Sequence, residues 1–261
     1  MNVIVCLKQV PGTTKVEIDP QTNTLVRQGI KNVVNPYDTY ALEEGIRLKE
    51  RYGGKVTALS MGPPQAEEVL REAIANGVDE AVLLSDRAFA GADTLATAYT
   101  LSRAITKIKD CDLIICGRQT IDGDTGQVAP ELAELLGLPF VSYVNKIEQI
   151  TTGQMRLQRM IDEGHEIMET SLPAVISVTK DINVPRLPSL RGIARARSAT
   201  ITILTAQDLD VDTNTVGLAG SATRVIKIFS PERVRRAEQL QGDLENQVTG
   251  LIEKLREARI I

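Results

Sequence analysis

The segment "CGRQTIDGDTGQVAPELAELLGLP", residues 116–139, decides the fold because it joins a buried strand to a helix through a glycine-rich turn. The apolar run "DLIIC", residues 112–116, precedes it, and the spacing of an amphipathic helix follows from Val128. The turn contains three glycines and two aspartates: Gly117, Asp122, Gly123, Asp124 and Gly126. No basic residue occurs between residues 119 and 136. In open α/β sheets, a strand–turn–helix unit of this kind lies at the carboxyl edge, where ligands bind.

Apolar runs alternate with helical patterns through the first 145 residues, which predicts an α/β domain with a parallel, doubly wound sheet. The predicted strands are "NVIVCLK" (2–8), "KVTALSM" (55–61), "EAVLLSD" (80–86), "DLIICG" (112–117) and "PFVSYV" (139–144). Three predicted helices lie between them, at residues 35–51, 64–77 and 93–108, and a fourth follows the turn. Asn35 and Asp93 are the expected N-caps, and Gly77 is the expected end of the second helix.

The remaining segments differ in character. Residues 15–29 suggest a surface hairpin, and residues 145–171 suggest short antiparallel strands before a buried strand at "AVISVT" (174–179). The region 185–206 is basic and contains prolines. From Pro231 we expect one long charged helix to the C-terminus, with a sparse apolar stripe: Val234, Leu240, Val248, Leu251 and Leu255. We therefore expect an α/β domain at 1–206 and a C-terminal arm at 207–261.

Composition excludes several classes of function. The chain has 261 residues, 30 basic and 34 acidic residues, and 3% aromatic residues, which argues against nucleic-acid and anionic-membrane binding. Cys6, Cys111 and Cys116 lie in or beside apolar runs and lack zinc-ligand spacing, which predicts buried thiols in a reducing compartment. The opening segment is too short for a signal peptide or a membrane span, so we expect a cytoplasmic protein without membrane insertion.

The turn at 117–127 has the properties of a main-chain anion site. The amides of Thr125, Gly126, Gln127 and Val128 can hold phosphate at a helix start without any lysine. Asp122 and Asp124 can then brace the turn or accept hydrogen bonds from ligand hydroxyls. A ligand-free capped turn explains the same residues, since Asp-Gly turns are common. A calcium loop is disfavoured because Ala133 occupies the position of the bidentate glutamate.

Catalytic side chains are not evident. No GxGxxG follows the first strand, and neither a Walker A sequence nor a nucleophile elbow is present. The single histidine, His165, is expected in a polar turn, and Glu43 and Glu44 are expected to be solvated charges. This pattern favours a protein that holds a nucleotide and has no metal site or catalytic residues of its own.

The segment 116–139 resembles the signature of the β (small) subunit of electron transfer flavoproteins. The resemblance continues through "VCLKQVP" (5–11), "VVNPYDTYALEEGIRLKE" (33–50), "ALSMGPPQAEEVLREAIANGVDEAVLL" (58–84) and "LPAVISVTKDINVPRLPSLRGIARAR" (172–197). It covers nearly the whole chain in order. It implies an electron-carrier subunit that pairs with a larger, FAD-carrying α subunit, on which the C-terminal arm packs. It also implies that the β subunit holds AMP in the simple type and a second FAD in the bifurcating type.

The resemblance also implies residue roles. Cys6, Asn35 and Met61 would line the adenine pocket. Asp122, Gly123, Asp124, Thr125, Gly126, Gln127 and Val128 would hold phosphate, and Gly117, Arg118 and Gln119 would be further cofactor-binding residues. A loop at 183–198, with Pro188, Leu190 and Ile193, would dock on a dehydrogenase partner. Cys6 as plain core and Leu190 as an isolated exposed side chain are the alternatives.

The start of the third predicted helix bears on the type. Thr94 and Thr97, one turn apart at this helix start beside Gly91, could bind a second phosphate or a flavin oxygen, and they resemble the bifurcating type. Asp93 would be a further cofactor-binding residue. Alternatively, they only cap the helix. The bifurcating type implies FAD, with NADH as electron donor. Its partners would be an acyl-CoA or 2-hydroxy-acid dehydrogenase and ferredoxin or flavodoxin. The competing class is a free-standing nucleotide-binding regulator similar to universal stress proteins, whose sheet is related.

Overall fold

The computed structural model describes residues 1–12, 32–226, 237 and 239–261, in two compact units, Met1–Ile226 and Lys227–Ile261. The hairpin expected at 15–29 lies outside the described residues. The strands of the first unit are β1 (Asn2–Cys6), β2 (Gln9–Pro11), β3 (Asn32–Val34), β4 (Lys55–Met61), β5 (Glu80–Leu84), β6 (Leu113–Gly117), β7 (Phe140–Thr151), β8 (Gln154–Ile161), β9 (Gly164–Ser171), β10 (Ala174–Val178) and β11 (Thr202–Leu204). Its α-helices are α1 (Pro36–Tyr52), α2 (Glu67–Asn76), α3 (Thr94–Ile108), α4 (Val128–Leu136) and α5 (Leu190–Ser198).

The main sheet has nine strands in the order β11-β5-β4-β1-β6-β10-β7-β8-β9. Strand β1 pairs in parallel with β4 on one side and with β6 on the other. Strands β4 and β5 thus extend the sheet on one side of β1, and β6 then begins its extension on the other side. The strand order therefore changes direction between β1 and β6. In doubly wound sheets a crevice opens at the carboxyl ends of two such strands. The predicted fold class is confirmed, and the turn at 117–127 lies beside this switch point.

Helices cover both faces of the sheet. On one face, Val3, Val56 and Ile115 share a core with residues of α1 and α2, such as Ile46 and Leu70. On the other face, Ile4, Leu59 and Ile114 share a core with residues of α3 and α4, such as Leu101 and Leu132. Adjacent residues of one strand thus contribute to different cores, as the alternation of side chains along a strand requires. Burial on both faces is the reason that these strands are continuously apolar in sequence.

The antiparallel extension was predicted, but its dimensions were not. Strand β7 runs to Thr151, well past the expected end of the fifth strand at residue 144, and pairs antiparallel with β8. Strand β8 in turn pairs antiparallel with β9. The expectation that His165 lies in a turn is wrong, because it lies within β9 opposite Met160, although its side chain is exposed. A polar strand that extends into solvent has the same residue types as a turn, so composition did not separate them.

The end of the first unit also differs from the expected boundary at residue 206. Leu209 and Val216 are 4% and 0% exposed and belong to the same core as α3 and α4, so this unit continues to Ile226. In the second unit, α6 (Leu244–Glu257) begins with Asp243 as N-cap, whose side chain accepts from the amide of Asn246. The helix expected from Pro231 is therefore shorter, although Pro231 and Val234 themselves lie outside the described residues.

Candidate nucleotide site and docking segment

The turn between β6 and α4 presents free main-chain donors. Residues 121–127 are exposed, and Gln127 is the N-cap residue of α4 without a side-chain cap. Among the described residues, no acceptor pairs with the amides of Thr125, Gly126, Gln127 and Val128. These amides lie at the positive end of the α4 dipole, so the donor set has the chemistry of an anion site. Phosphate groups of a nucleotide fit this set.

Two glycines of the turn lie so close to neighbouring backbone or side-chain atoms that a larger residue would crowd them. Gly126 has a positive φ of 64°, which favours glycine, and an added Cβ would lie 3.3 Å from the carbonyl oxygen of Arg118. At Gly117 an added Cβ would lie 2.3 Å from Asp38 Oδ1 and 2.8 Å from the carbonyl carbon of Tyr37. The start of α1 therefore packs directly against the end of β6. This contact joins the turn to α1.

Both aspartates of the turn brace it. Asp122 accepts a hydrogen bond and ion pair from Lys8 Nζ at 2.8 Å, and the Asp124 carboxylate accepts from the Gln119 side chain. Asp124 has a φ of 54°, and its amide donates to the carbonyl of Thr120. A lysine therefore reaches the turn, where it pairs with Asp122, while the main-chain amides of residues 125–128 have no acceptor among the described residues. Lys8 follows the carboxyl end of β1, so its proximity was implied by the strand order but not by the turn's own sequence.

Arg118, at the start of the turn, contacts two aromatic rings at the same edge of the sheet. Its guanidinium lies 5.1 Å from the ring centroid of Tyr143 and 5.9 Å from that of Tyr37. Its Nε also donates to Gln119 Oε1 at 2.5 Å. The arginine therefore sits between two aromatic rings, and its charge is stabilised by cation–π contacts. This arrangement links the turn to α1 and to β7.

Asn35 is fully buried and connects α1 to the turn. It occupies the N-cap position of α1, as expected, but its side chain does not cap the helix. Its Nδ2 donates to the carbonyl of Gln119 at 2.8 Å and to Asp38 Oδ1 at 2.9 Å, and its Oδ1 accepts from the amide of Ile121 at 3.2 Å. Its polar atoms are thus committed to the protein. These bonds connect the start of α1 to Gln119 and Ile121 of the turn.

Asp38 is the most unusual ionisable group near the site. Burial raises the pKa of this carboxyl to about 7, although hydrogen bonds from Asn35 and from the amide of Lys8 oppose the rise. The amide of Lys8 donates to its Oδ2 at 2.7 Å. Sequence reasoning missed Asp38, because an aspartate in the first turn of a helix normally interacts with the helix dipole in solvent.

The start of α3 meets the start of α4. Thr94 Oγ1 donates to Glu131 Oε1 at 3.0 Å and lies 3.4 Å from Gln127 Oε1. Asp93 caps α3 as predicted, since its Oδ1 accepts from the amide of Ala96 at 3.0 Å, while its Oδ2 accepts from Thr223. Thr97 lies half-buried one turn further along α3. Two helix N-termini therefore converge on one side of the switch point.

Three sulfur-containing residues, Cys6, Cys116 and Met61, lie at the carboxyl ends of three neighbouring strands. Cys6 ends β1, Cys116 lies next to it in β6, and Met61 ends β4. A hydrogen bond with Cys116, followed by burial, raises the pKa of the Cys6 thiol well above its usual value. All three cysteines are free, and burial raises the pKa of Cys111 to about 12. Cys6 and Met61 are half-buried, so they present soft, neutral surface at the carboxyl edge of the sheet.

The carboxyl edge of the sheet, where the turn lies, is open to solvent, and a cavity lies at the opposite edge. A cavity of about 560 Å³ is lined by Met1, Tyr52, Asp112, Pro173 and the turn between β7 and β8, at the opposite edge of the sheet. At the switch point, by contrast, the turn residues 121–127 are all exposed. This edge is therefore open to a ligand from solvent.

A second exposed feature follows β10. The side chains of Val184, Leu187 and Leu190 are 80%, 90% and 88% exposed. Pro188 is also exposed, and Ser189 caps α5 by accepting from the amide of Gly192 at 3.0 Å. The region 183–198 is thus not one loop: an extended part, 183–189, leads into helix α5. We call residues 183–190 the docking segment. Three neighbouring apolar side chains at this exposure differ from the scattered apolar residues of ordinary surfaces.

An arginine fixes the docking segment to α1. Arg186 donates from Nε to Glu43 Oε2 at 2.8 Å and from Nη1 to Glu50 Oε1 at 2.6 Å. The expectation that Glu43 and Glu44 are solvated is wrong, since they are 4% and 8% exposed. Burial alone would raise the pKa of Glu43, but its hydrogen bonds from Arg186 outweigh burial and lower it. Glu44 accepts from Asn183 at 2.9 Å, and burial raises its pKa.

Helix α5 is held on α2. Arg195 Nη2 donates to the carbonyls of Ile74 and Val78, at 2.6 Å each, near the end of α2. Gly192 allows the two helices to touch, because an added Cβ would lie 2.0 Å from the carbonyl oxygen of Ala75. Ile193 remains 36% exposed. The segment is therefore attached at both of its ends to the first two helices.

A doubly wound sheet with a main-chain anion cradle at its switch point defines a nucleotide-binding protein of the α/β class. The profile of the electron transfer flavoprotein domain matches residues 22–209. An electron transfer flavoprotein subunit beta of Thermoanaerobacterium thermosaccharolyticum is 50% identical over 100% of both chains. The caffeyl-CoA reductase-Etf complex subunit CarD of Acetobacterium woodii is 44% identical over 100% of both, and protein FixA of Azotobacter vinelandii is 43% identical over 93% of this chain and 89% of its own. The chain belongs to the electron transfer flavoprotein family, among its β subunits.

Two further observations concern the described part of the chain. None of its helices combines the length and the apolar character that crossing a bilayer requires. Within the same residues, His, Cys, Asp and Glu side chains do not form a group of three or more that could hold a metal ion.

Proposed function

We propose that this chain is the small subunit of a heterodimeric electron transfer flavoprotein of the bifurcating type, with FAD in the cleft between β1 and β6. When bound, FAD would supply the redox chemistry, namely acceptance of two electrons from NADH and their division between a dehydrogenase-linked flavin and ferredoxin or flavodoxin. The chain itself supplies binding, orientation and electrostatics.

The convergence of two helix N-termini carries this proposal. The α4 start offers the free amides of residues 125–128, and the α3 start lies within hydrogen-bonding distance of it through Thr94 and Glu131. AMP has a single phosphate and needs only one such end, whereas the pyrophosphate and flavin of FAD extend across both. Cys6 and Met61 would contact the adenine ring in either case.

The open edge supports a subunit role. A cleft whose turn is fully exposed does not exclude water, so we infer that a larger α subunit covers the cofactor. In the second unit, α6 exposes Leu244, Val248 and Leu251, which are 78%, 48% and 48% exposed and share one face by their i, i+4, i+7 spacing. We propose that this face packs on the α subunit.

The docking segment suggests an enzyme partner. Its apolar side chains would insert into a pocket of an acyl-CoA dehydrogenase or a 2-hydroxy-acid dehydrogenase. The relative CarD is named as a subunit of a complex with caffeyl-CoA reductase, which supports a partner that acts on a CoA thioester.

The cofactor content tests the proposal. The chain is co-expressed with the α subunit, the purified complex is denatured, and released cofactors are separated by HPLC. We expect two FAD per heterodimer. One FAD and one AMP would establish the simple type instead, in which AMP occupies the same cradle, and a stable homodimer with bound ATP would favour a free-standing regulator.

An NADH titration gives a second, independent reading. If both flavins of the complex bleach with NADH only when the second FAD is present, the cleft flavin is the entry point for electrons. Bleaching that is unaffected by its removal would contradict this role.

A further inference from the structure

A network of buried hydrogen bonds connects Asp38 and Asn35 to the turn at residues 117–127, which we call the nucleotide turn. Asp38 is 5% exposed and Asn35 is 0% exposed. The network runs from Asp38 through the Asn35 amide to the carbonyl of Gln119 and the amide of Ile121. The second oxygen of Asp38 holds the amide of Lys8, whose side chain bonds Asp122 in the same turn. The buried carboxyl of Asp38 is thus connected to the turn twice, once through Asn35 and once through Lys8.

The chemistry of the network requires one orientation of the Asn35 amide. Its NH₂ group must face the Gln119 carbonyl, which only accepts, and its oxygen must face the Ile121 amide, which only donates. A carboxylate at residue 38 accepts the remaining N–H and so favours the same orientation. An asparagine there would place its own NH₂ against a donor, either Asn35 Nδ2 or the amide of Lys8. An acceptor-only group is therefore needed at this position.

We propose that Asp38 is a positioning residue for the nucleotide turn: its carboxylate orients the Asn35 amide, which holds Gln119–Ile121 in the binding conformation. The identity of the ligand rests on the proposed function, whereas the control of the turn does not.

The groups that face Asp38 define how it titrates. Burial raises its pKa to about 7, against an ordinary value of 3.8. The charged or titratable neighbours are Lys8, beyond the end of β1, which lowers the pKa, and the Cys6 thiol of β1. From β6, the main-chain amide of Gly117 also lowers it. Protonation near neutral pH weakens the acceptor and should loosen the turn.

Hydrogen exchange of the nucleotide-free chain tests the positioning directly. In Asp38→Asn, we expect the Ile121 amide to exchange on the order of tenfold faster than in the wild type, because its acceptor is no longer oriented. Glu44→Gln is the matched control: it removes another buried carboxyl of α1, also bonded to an asparagine, Asn183, but not connected to the turn. Unchanged Ile121 exchange in Asp38→Asn would overturn the proposal.

Binding of AMP to the full chain gives the pH profile that a merely structural role would not produce. In the wild type we expect the affinity to fall about tenfold between pH 8 and pH 6, since one group with a pKa near 7 is protonated in that interval. Asp38→Asn should bind about tenfold more weakly at pH 8 and should keep only the shallower pH dependence of the AMP phosphate itself, whose second pKa is about 6, and Glu44→Gln should retain the wild-type profile. A wild-type profile in Asp38→Asn would contradict the proposal.

Two outcomes separate this inference from the proposed function. If the wild type binds neither AMP nor FAD but Ile121 exchange rises in Asp38→Asn, the positioning holds and the proposed function fails. If Asp38→Asn does not fold, the wild type alone decides: Ile121 protection, corrected for the intrinsic rate, should increase from pH 6 to pH 8. Constant protection would overturn the positioning role.

Discussion

Arg186 and Glu43 join the docking segment to the first helix through paired hydrogen bonds, with Arg186 Nε and Nη2 at 2.8 and 3.1 Å from the two oxygens of Glu43. The main-chain amide of Arg186 also donates to Glu43 Oε2 at 3.1 Å. Because the glutamate is 4% exposed and the arginine side chain 32% exposed, this ion pair is partly shielded from solvent. Paired donors in fixed geometry give the segment a defined shape.

Arg186→Ala should therefore destabilise the first unit. We expect a loss of about 2–3 kcal/mol in the free energy of unfolding, because a buried carboxylate loses its main partner. Arg47→Ala is the control, since Arg47 bonds the same Glu43 at 2.9 Å but is 47% exposed, and should cost about 0.5 kcal/mol. Urea unfolding at pH 7.5 measures both. Equal losses would contradict a special role for Arg186.

The same pair predicts a pH dependence. The folded pKa of Glu43 is lowered from 4.5, so the stability it contributes is present in full above the unfolded pKa and is lost as pH falls through the folded one. The stability difference between the wild type and Arg186→Ala should therefore shrink as the pH falls below the ordinary glutamate pKa of 4.5. A constant difference at lower pH would show that packing, and not charge, accounts for the loss.

Leu190→Ala should impair electron transfer to the dehydrogenase without affecting the fold. Truncating a central apolar side chain at an interface costs about 1.4–3 kcal/mol, which corresponds to a loss of roughly 10- to 100-fold in affinity for the partner. Ile203→Ala, which removes another exposed side chain at 51% exposure in β11, is the control and should be neutral. Titration of the dehydrogenase against each variant checks the prediction. Equal effects of the two substitutions would refute a docking role for Leu190.

Gly117→Ala should disrupt the turn by steric conflict. Its Cβ would overlap Asp38 Oδ1 and the main chain of Tyr37, so either the start of α1 or the turn must move. We expect a loss of about 1–3 kcal/mol in stability together with loss of nucleotide binding. Gly123→Ala, in the same turn, meets only the Thr120 hydroxyl at 3.3 Å and should cost less. Thermal unfolding measures the stability of both variants, and calorimetric titration with AMP measures their binding. If the two variants behave alike, the steric explanation is contradicted.

Thr94→Val should distinguish FAD from AMP. It removes the hydroxyl that bonds Glu131 at 3.0 Å and that we place near the second half of FAD. Loss of one ordinary hydrogen bond between this hydroxyl and bound FAD costs about 0.5–1.5 kcal/mol, so FAD affinity should fall about two- to tenfold while AMP affinity is retained. Thr106→Val, at the far end of the same helix, is the control. Equal weakening of both ligands would contradict the proposed extent of the site.

The local pattern of the chain was sufficient for several elements. The helix starts at Asn35 and Asp93, the helix end at Gly77, the parallel strands and the strand–turn–helix unit at 113–136 follow from residue periodicity and from the special backbone of glycine and proline. These features depend on interactions within a few residues, and sequence displays them directly.

Other features depend on residues far apart in the chain. The burial of Glu43 needs Arg186, 143 residues later, and the burial of Asp38 needs Gly117 at the end of β6 and Lys8 beyond the end of β1. A glutamate in a helix has the same sequence pattern whether it faces solvent or a distant arginine. Helix α5 was missed for a related reason: its polar, arginine-rich composition makes sense only once α2 supplies the carbonyls that Arg195 binds.

By itself, the sequence determined the order of strands and helices, the two-sided apolar strands and the glycine turn with its free amides. Only the tertiary structure decided which strands are neighbours and therefore which side chains meet at the switch point: Lys8 with Asp122, Asn35 with Ile121, and Thr94 with Glu131. The physical reason is that backbone preferences act locally, whereas desolvation and pairing of polar groups depend on contacts that exist only after the sheet has assembled.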